Sequence, residues 1–317
     1  MNNTKHIRAG VVGIGHLGNY HLQKYAKTSD CKITAVADTE PDRARQAASL
    51  YNCEAFTDHK QMLGKVDAVS IAVPTAWHHR VARDFLAAGI DVLIEKPLCA
   101  TLEEADDLLE LARKNKAVFQ VGFVERFNPA VMALEKIITR PVFIEVHRLH
   151  PFFERGTDVD VILDLMIHDL DLVLKFVRSP VTNLEAIGVP VLSGKIDISN
   201  VRLTFADGCI ANLTASRISA KTMQKLRFFG PEGYHAVDTR KREIISFKKT
   251  TGPDGKGQIV QNSIEVGSHD PLEEEIRSFI SAVMTRTRPV VSGEEGRSSL
   301  ALAVEILQKM KTEKDFQ

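Results

Sequence analysis

The chain has 317 residues, of which 44% are hydrophobic and 26% are charged. This length favours about two domains, and the composition is typical of an ordinary globular protein. Lys and Arg together number 41, as do Asp and Glu, so the formal net charge is zero. The balance argues against a general nucleic-acid or membrane-surface binder, because both need an excess of basic residues.

The cysteines and the N-terminus bear on location and on metals. The cysteines are Cys31, Cys53, Cys99 and Cys209, with no C-x-x-C pair and no spacing typical of metal ligands. We therefore predict no metal site and a reducing compartment. The first ten residues contain no signal-peptide core, and no apolar run approaches the roughly 20 residues of a membrane span. We expect a cytoplasmic protein.

The first predicted strand, Ile7–Gly13, leads into the sequence G-I-G-H-L-G at 13–18 and then into a predicted helix. A glycine-rich turn in this context is the dinucleotide-binding fingerprint. Gly13 lets the turn close, Gly15 lets the backbone approach a pyrophosphate, and Gly18 lets the helix pack on the strand. The helix N-terminus offers free N–H groups to the phosphates. The expected cofactor-binding residues of this turn are Gly13, Gly15, His16, Leu17 and Gly18.

Asp38 ends the second predicted strand, Lys32–Asp38, twenty residues after Gly18. An acid at this position can accept a hydrogen bond from the ribose 2′-hydroxyl and would repel a 2′-phosphate. We therefore expect Asp38 to bind the cofactor, which should be NAD rather than NADP. The alternative is a glycine-rich turn followed by an ordinary aspartate at a strand end.

Alternating strands and helices continue to about residue 121, which implies βαβ units with right-handed crossovers. The strands are short runs rich in Val, Ile and Ala, as buried parallel strands are. The further predicted strands are Ala68–Val73, Val92–Glu95 and Ala117–Val121. The predicted helices are Tyr20–Lys27, Pro41–Tyr51, Trp77–Ala88 and Leu102–Lys114.

Two loops of this half carry candidate site residues, since ligands of open α/β sheets lie outside the carboxyl ends of the strands. We expect Pro74, Thr75 and His78 to line the nicotinamide-ribose side of the cofactor. The alternative is a proline that ends a strand and a threonine that caps a helix.

The second loop contains Glu95-Lys96-Pro97, of which Glu95 and Lys96 are also expected to contact the cofactor. Lys96 could donate a hydrogen bond to a substrate hydroxyl and favour its alkoxide as charge develops. The alternative is a surface lysine in a βα loop. Pro97 would fix the local turn, and a cis bond is one form that such turns take.

The pattern changes after Gly122, where consecutive strands without intervening helices indicate a largely antiparallel sheet. A helix Pro129–Ile138, a strand Val142–Leu149 and a helix Val161–Val177 come first. The next predicted strands are Leu184–Val191, Ile198–Phe205, Cys209–Ser216, Lys225–Phe229, Tyr234–Asp238 and Glu243–Phe247. After a predicted loop at 252–257, helices Leu272–Met284 and Glu294–Lys311 close the chain.

Asp164 and His168 lie four positions apart on a predicted helix, which places both side chains on one face, roughly 5–6 Å apart at Cβ. The carboxylate can orient the imidazole, and histidine is a natural general base near neutral pH. For an isolated Asp-x-x-x-His, a helix-face pair that supports packing is the commoner reading.

Arginines of the second half suit a phosphate through their planar donor fork. Any single one is more often structural or solvated. The candidate substrate-binding residues are Arg126, Asn128, Arg148, Arg155 and Arg217.

Taken together, these motifs resemble the glucose-fructose oxidoreductase, inositol dehydrogenase and rhizopine-catabolism (Gfo/Idh/MocA) family. The matching segments are G-I-G-H-L-G at 13–18, V-P-T-A-W-H at 73–78, A-G-I-D-V-L-I-E-K-P at 88–97 and D-L-M-I-H-D-L-D at 164–171. Their order and spacing are those of the family. One departure is Val73-Pro74-Thr75, where many members have Thr-Pro-Asn.

The resemblance implies an NAD-binding Rossmann domain, which we place at 1–123, and an α/β domain at 124–317 with an open, largely antiparallel sheet. The second domain would hold the substrate site and an oligomer interface, in a homodimer or homotetramer, and the terminal helices are free to pack back on the first. The resemblance also implies that Lys96, Asp164 and His168 are the catalytic residues.

Three further segments resemble a narrower branch, the UDP-N-acetylglucosamine 3-dehydrogenases: 121–130, 158–171 and 211–219. This implies oxidation of the C3 hydroxyl of that sugar nucleotide, with an aminotransferase consuming the ketone on a route to lipid A. The alternatives are a dehydrogenase of a free sugar or inositol, and a non-catalytic NAD-binding regulator.

Overall fold

The computed structural model describes residues 6–153, 159–231, 233–251 and 256–310. By its internal contacts the chain divides into two compact units. The first comprises Met1–Val124 and Asp270–Ser298, and the second comprises Glu125–His269 and Ser299–Gln317. The segment Asp270–Ser298, which falls within the second predicted domain, therefore groups with the first unit.

Six parallel strands form the sheet of the first unit, in the order β3-β2-β1-β4-β5-β6. The strands are β1 Ile7–Val12, β2 Cys31–Ala37, β3 Glu54–Phe56, β4 Ala68–Ile71, β5 Asp91–Glu95 and β6 Phe119–Gly122. The helices between them are α1 His16–Tyr25, α2 Pro41–Tyr51, α3 His78–Ala87 and α4 Leu102–Asn115. This strand order is that of the Rossmann fold and confirms the predicted class. The three-residue strand β3 is too short to give a periodic signal and was not predicted.

The second unit is built on an eight-stranded sheet in the order β14-β13-β12-β11-β7-β10-β9-β8. The helices that precede and interrupt its strands are α5 Pro129–Glu135 and α6 Ile167–Val177. The strands are β7 Phe143–Leu149, β8 Val181–Val189, β9 Ile198–Phe205, β10 Ile210–Ser216, β11 Met223–Gly230, β12 Gly233–Asp238, β13 Glu243–Thr251 and β14 Gly257–Asn262. All neighbours are antiparallel except β7 and β10, which confirms a largely antiparallel sheet.

The second unit differs from the prediction in two features. Residues 252–255 of the predicted loop lie outside the described residues, and Gly257 begins β14, which was not predicted. The parallel pairing of β7 with β10 joins strands about sixty residues apart and leaves no local signal in the sequence.

The chain closes with α7 Pro271–Thr285 and α8 Gly293–Lys309. Asp270 caps α7, because its side chain accepts a hydrogen bond from the Glu273 amide. Apolar residues of α7, including Ile276, Phe279 and Ile280, join the core of the first unit with those of β1 and α1. Within the described ranges, no helix combines the length and apolar character needed to cross a membrane.

Candidate active site

The glycine-rich turn has the geometry that the fingerprint predicts. Gly13 has φ +87°, in the left-handed region that favours glycine, and a Cβ at Gly18 would lie 1.9 Å from the Gly13 carbonyl oxygen. Gly15 is different, because a Cβ there would meet no atom within 4 Å. The open space lies at the N-terminus of α1, where His16 and Leu17 are exposed. The turn therefore leaves room for a diphosphate beside free helical N–H groups.

Asp38 lies directly after β2 and is buried. Its carboxylate accepts hydrogen bonds from the Ile14 amide at 2.6 Å and the Glu40 amide at 2.8 Å. The guanidinium of Arg43 lies 3.2 Å from Oδ1, the oxygen that accepts from the Glu40 amide. A carboxylate has about four acceptor positions, so one remains for a ribose hydroxyl. The geometry of the turn and of Asp38 fits the adenosine half of NAD.

The three predicted cofactor residues of the loop after β4 differ in their exposure. Pro74 is exposed and Thr75 is half-buried at the start of a 3₁₀ turn. His78, the first residue of α3, is only 1% exposed. Its Nδ1 lies 2.9 Å from the Pro97 carbonyl oxygen and its Nε2 lies 2.9 Å from that of Val73. Because protein groups engage both ring nitrogens, the expectation that His78 binds the cofactor directly is corrected.

Lys96 follows β5 and is half-buried, and the bond between Lys96 and Pro97 is cis. The preceding Glu95 places its carboxylate 2.8 Å from Nε2 of the buried His21. Burial raises the pKa of Glu95, but His21, Lys96 and His78 outweigh this effect and lower it below its ordinary value. The carboxylate of Glu95 therefore interacts electrostatically with the ammonium of Lys96.

Asp164 and His168 lie on one continuous helical segment, as predicted, but its first turn is π-helical. The π-helix spans Ile162–Met166 and passes directly into α6. Asp164 lies in the wide turn and His168 in the first turn of α6, and both side chains are half-buried. Such π-helical turns are frequent at functional sites.

Two buried ion pairs attach α6 to neighbouring segments of the second unit. Arg148 contacts Asp169 through two hydrogen bonds of 2.9 Å and Glu125 through one of 3.2 Å. Arg126 contacts Asp171 in the same two-pronged manner, at 2.5 and 2.8 Å. Burial raises the pKa of Asp169, and the facing Arg148 opposes that effect.

These contacts correct the prediction that Arg126 and Arg148 bind a diphosphate. Both are at most 4% exposed, and breaking such a buried pair to reach a ligand would leave a carboxylate uncompensated.

The other candidate contacts of the second unit are also internal. Asn128 is buried, caps α5 through the Ala130 amide and donates to the Thr239 carbonyl at 2.8 Å. Arg217 is buried and donates to the carbonyls of Val159 and Ile196. Their predicted contact with substrate is therefore corrected as well. The remaining candidate, Arg155, lies outside the described residues.

The structure adds polar residues that the sequence analysis missed. His150, just after β7, lies 2.9 Å from the side chain of Gln224. Burial and then Arg148 lower the pKa of His150, whereas the carboxylate of Asp164 raises it. His21 could have been noticed, because it is a polar residue on the buried face of α1. His150 carried no such signal, since its neighbours come from distant strands.

Comparison with known proteins extends these observations. Residues 7–123 match the family model described as "Oxidoreductase family, NAD-binding Rossmann fold". Residues 138–235 match the model described as "GFO/IDH/MocA C-terminal domain".

Relatives match over nearly the whole chain. A UDP-N-acetylglucosamine 3-dehydrogenase from Acidithiobacillus ferrooxidans is 35% identical over 303 residues, or 95% of this chain and 96% of the relative. A structure of that enzyme superposes with a TM-score of 0.90 at 34% identity, over 99% of this chain and all of the other. An inositol 2-dehydrogenase from Rhizobium meliloti is 28% identical over 94% of each chain. The scyllo-inositol dehydrogenase from Lactobacillus casei, solved with NAD(H) and scyllo-inositol, shares the fold, with a TM-score of 0.80 at 21% identity over 96% of this chain and 97% of the other.

Proposed function

The chain belongs to the Gfo/Idh/MocA family of NAD-binding oxidoreductases, and from this premise we propose that it oxidises the C3 hydroxyl of UDP-N-acetylglucosamine to a ketone. The observation that carries the proposal is the 35% identity, over 95% of the chain, to an enzyme named for that reaction. Lys96, Asp164 and His168 occupy positions that resemble the catalytic positions of the family.

In this proposal the first unit holds the cofactor. The turn at 13–18 and the N-terminus of α1 would bind the pyrophosphate, and Asp38 would bind the adenosine ribose. Pro74, Thr75 and Glu95 lie at the carboxyl ends of β4 and β5, where the nicotinamide half is expected. Bound there, NAD would accept the hydride that leaves C3 of the sugar.

The chain's own residues would handle the proton and the developing charge. His168 takes the hydroxyl proton as general base. Lys96 donates a hydrogen bond to the same oxygen and stabilises its negative charge until the carbonyl forms. Asp164 orients His168 or contacts the sugar. Glu95, which interacts electrostatically with Lys96, would help to position the lysine.

The remaining proposals concern the surroundings of the reaction. Oxidation of a secondary alcohol by NAD is unfavourable near neutral pH, so we expect an aminotransferase to consume the ketone, which would place the product on a route to lipid A. We retain Arg155 as a proposed contact to the diphosphate. A cytoplasmic homo-oligomer also remains a proposal.

The test is a substrate panel in which NADH absorbance is followed with NAD present. UDP-N-acetylglucosamine, with an aminotransferase and amine donor to remove product, is compared with free N-acetylglucosamine and inositols. Turnover should be confined to the UDP sugar. Lys96→Ala and His168→Ala should each lower kcat by about two orders of magnitude or more while NAD still binds. The exposed Lys60, changed to Ala, serves as the control and should leave kcat unchanged.

Two outcomes would replace the proposal. Turnover of a free inositol without any UDP requirement would favour the activity of the inositol 2-dehydrogenase relative. Binding of NAD without turnover of any sugar would favour a regulator.

A further inference from the structure

His78 makes two short contacts with backbone carbonyl oxygens. Its two ring nitrogens lie 2.9 Å from the carbonyl oxygens of Pro97 and Val73. A carbonyl oxygen only accepts, so the ring donates a hydrogen bond through the nitrogen that carries its proton. The other nitrogen packs at the same distance from the second carbonyl, so the buried ring contacts both backbone segments at once.

The groups around His78 shift its pKa in opposite directions. Burial lowers the pKa of His78 below its ordinary value, because desolvation disfavours the imidazolium. The carbonyls of Pro97 and Val73 and the carboxylate of Glu95 oppose this effect only in part. Glu95 also interacts with His21 and Lys96, so one carboxylate, 12% exposed, lies near three basic groups. On its own helix, the neighbouring His79 points instead to Asp107, at 2.8 Å.

The two carbonyls belong to different loops. Val73 follows β4, Pro97 follows β5, and these strands are paired neighbours in the parallel sheet. His78 therefore joins the two βα loops at the end of the sheet where a ligand is expected. Lys96 lies in the second loop, between Glu95, which pairs with His21, and Pro97, which His78 holds.

We propose that His78 is a positioning residue that fixes the turn containing Lys96 and so directs the lysine toward the reacting oxygen. This rests on the role of Lys96 in the proposed function. His78 itself touches neither cofactor nor substrate.

The hydrogen bonding of His78 can be measured without any activity. The full-length protein is labelled with ¹⁵N-histidine, and the His78 signals are assigned by their loss in His78→Asn. At about pH 7 a ring N–H of His78 should show a one-bond N–H coupling and exchange slowly with water, because it is donated to a buried carbonyl. A ring N–H that exchanges as fast as that of an exposed histidine would overturn the proposal, whatever the substrate of the enzyme is.

Kinetics tests the positioning role. His78→Gln and His78→Phe should lower kcat by roughly 10- to 100-fold, as expected for a misplaced catalytic group, with KM for NAD changed less than about threefold. They should also change the rate at which an amine-reactive reagent labels Lys96, followed by mass spectrometry. The matched control is His79→Gln, the adjacent residue of the same helix, which should leave both quantities unchanged.

Full activity in folded His78 variants would contradict the positioning role. If the variants do not fold, the ¹⁵N measurement on the wild-type protein still decides whether the His78 ring is hydrogen-bonded to the loops. Failure of the proposed function has a different signature, because wild-type protein would then leave UDP-N-acetylglucosamine unoxidised while the ¹⁵N result stands.

Discussion

Asp38 and Arg43 form a pair of opposite charges at the expected position of the adenosine ribose. The carboxylate is buried and held by two backbone amides, whereas the guanidinium is half exposed. The fixed carboxylate would accept hydrogen bonds from the diol of a bound ribose. A 2′-phosphate would be repelled by Asp38, although Arg43 could pair with it. Cofactor preference therefore depends on which of the two charges dominates.

Asp38→Ala should shift the cofactor preference from NAD toward NADP. Loss of a hydrogen bond to a charged group costs about 1.5–3 kcal/mol, so kcat/KM for NAD should fall roughly 10- to 100-fold. The value for NADP should rise, because Arg43 is released. The measurement is the NAD/NADP ratio of kcat/KM, with Asp38→Ala/Arg43→Ala as the control that removes the NADP gain. An unchanged ratio in Asp38→Ala would exclude Asp38 as the ribose ligand.

Individual residues also show what the sequence alone could and could not predict. Gly13, Gly18 and Asp38 were predictable because strand, turn and helix are consecutive in the chain. The buried partners of Arg126 and Arg148 were not, because Asp171 and Asp169 lie 45 and 21 positions away. Nothing local distinguishes an arginine that binds phosphate from one that anchors a helix.

In the turn between β1 and α1, Gly15 and Gly18 have different roles. Gly18 is needed for packing, since any Cβ would collide with the backbone of Gly13. Gly15 has no steric reason to be glycine in the protein alone, because the space beside it is open. The open space is the one a pyrophosphate would fill.

Gly15→Ala and Gly18→Ala should therefore separate binding from folding. Gly15→Ala should keep the thermal midpoint and raise the Kd for NAD about tenfold or more, because its methyl group competes with the pyrophosphate. Gly18→Ala should lower the free energy of unfolding by about 1–3 kcal/mol through overpacking. Calorimetric titration with NAD and thermal unfolding measure the two effects. Equal NAD affinity in Gly15→Ala and wild type would remove the turn from the binding site.

The connection between β8 and β9 depends on one carboxylate. Asp197 is fully buried and accepts hydrogen bonds from the amides of Val191, Leu192 and Ser193 at 2.6–2.8 Å. Burial raises the pKa of Asp197, but the Ser193 hydroxyl and the three amides outweigh it and lower the pKa to about 2. The folded state therefore binds the proton more weakly than the unfolded chain does.

Asp197→Asn should destabilise the protein by about 2 kcal/mol, in a pH-dependent way. The contribution of Asp197 is fully present above about pH 4, the ordinary range of the carboxyl, and is lost as the pH falls toward 2. Urea unfolding of variant and wild type at several pH values measures the difference. A difference that does not shrink with acid would show that the carboxylate charge is not what stabilises the loop.

At the scale of the whole molecule, most of the architecture follows from local patterns. Alternating strands and helices predicted the parallel sheet of the first unit, and consecutive strands predicted the antiparallel sheet of the second. What local patterns cannot express is long-range pairing, such as β7 with β10, or the grouping of α7 with the first unit. The same limit applies to the site, where His21, His78 and His150 acquire partners only through the fold.

In the proposed reaction the protein removes hydride from C3 of UDP-N-acetylglucosamine. A turnover with substrate carrying deuterium at C3 and unlabelled NAD, followed by mass spectrometry of the reduced cofactor, tests this step. We predict that each NADH formed gains one deuterium and that the sugar nucleotide product is a 3-ketone. NADH without deuterium, or deuterium transfer only from a labelled free inositol, would contradict the assignment.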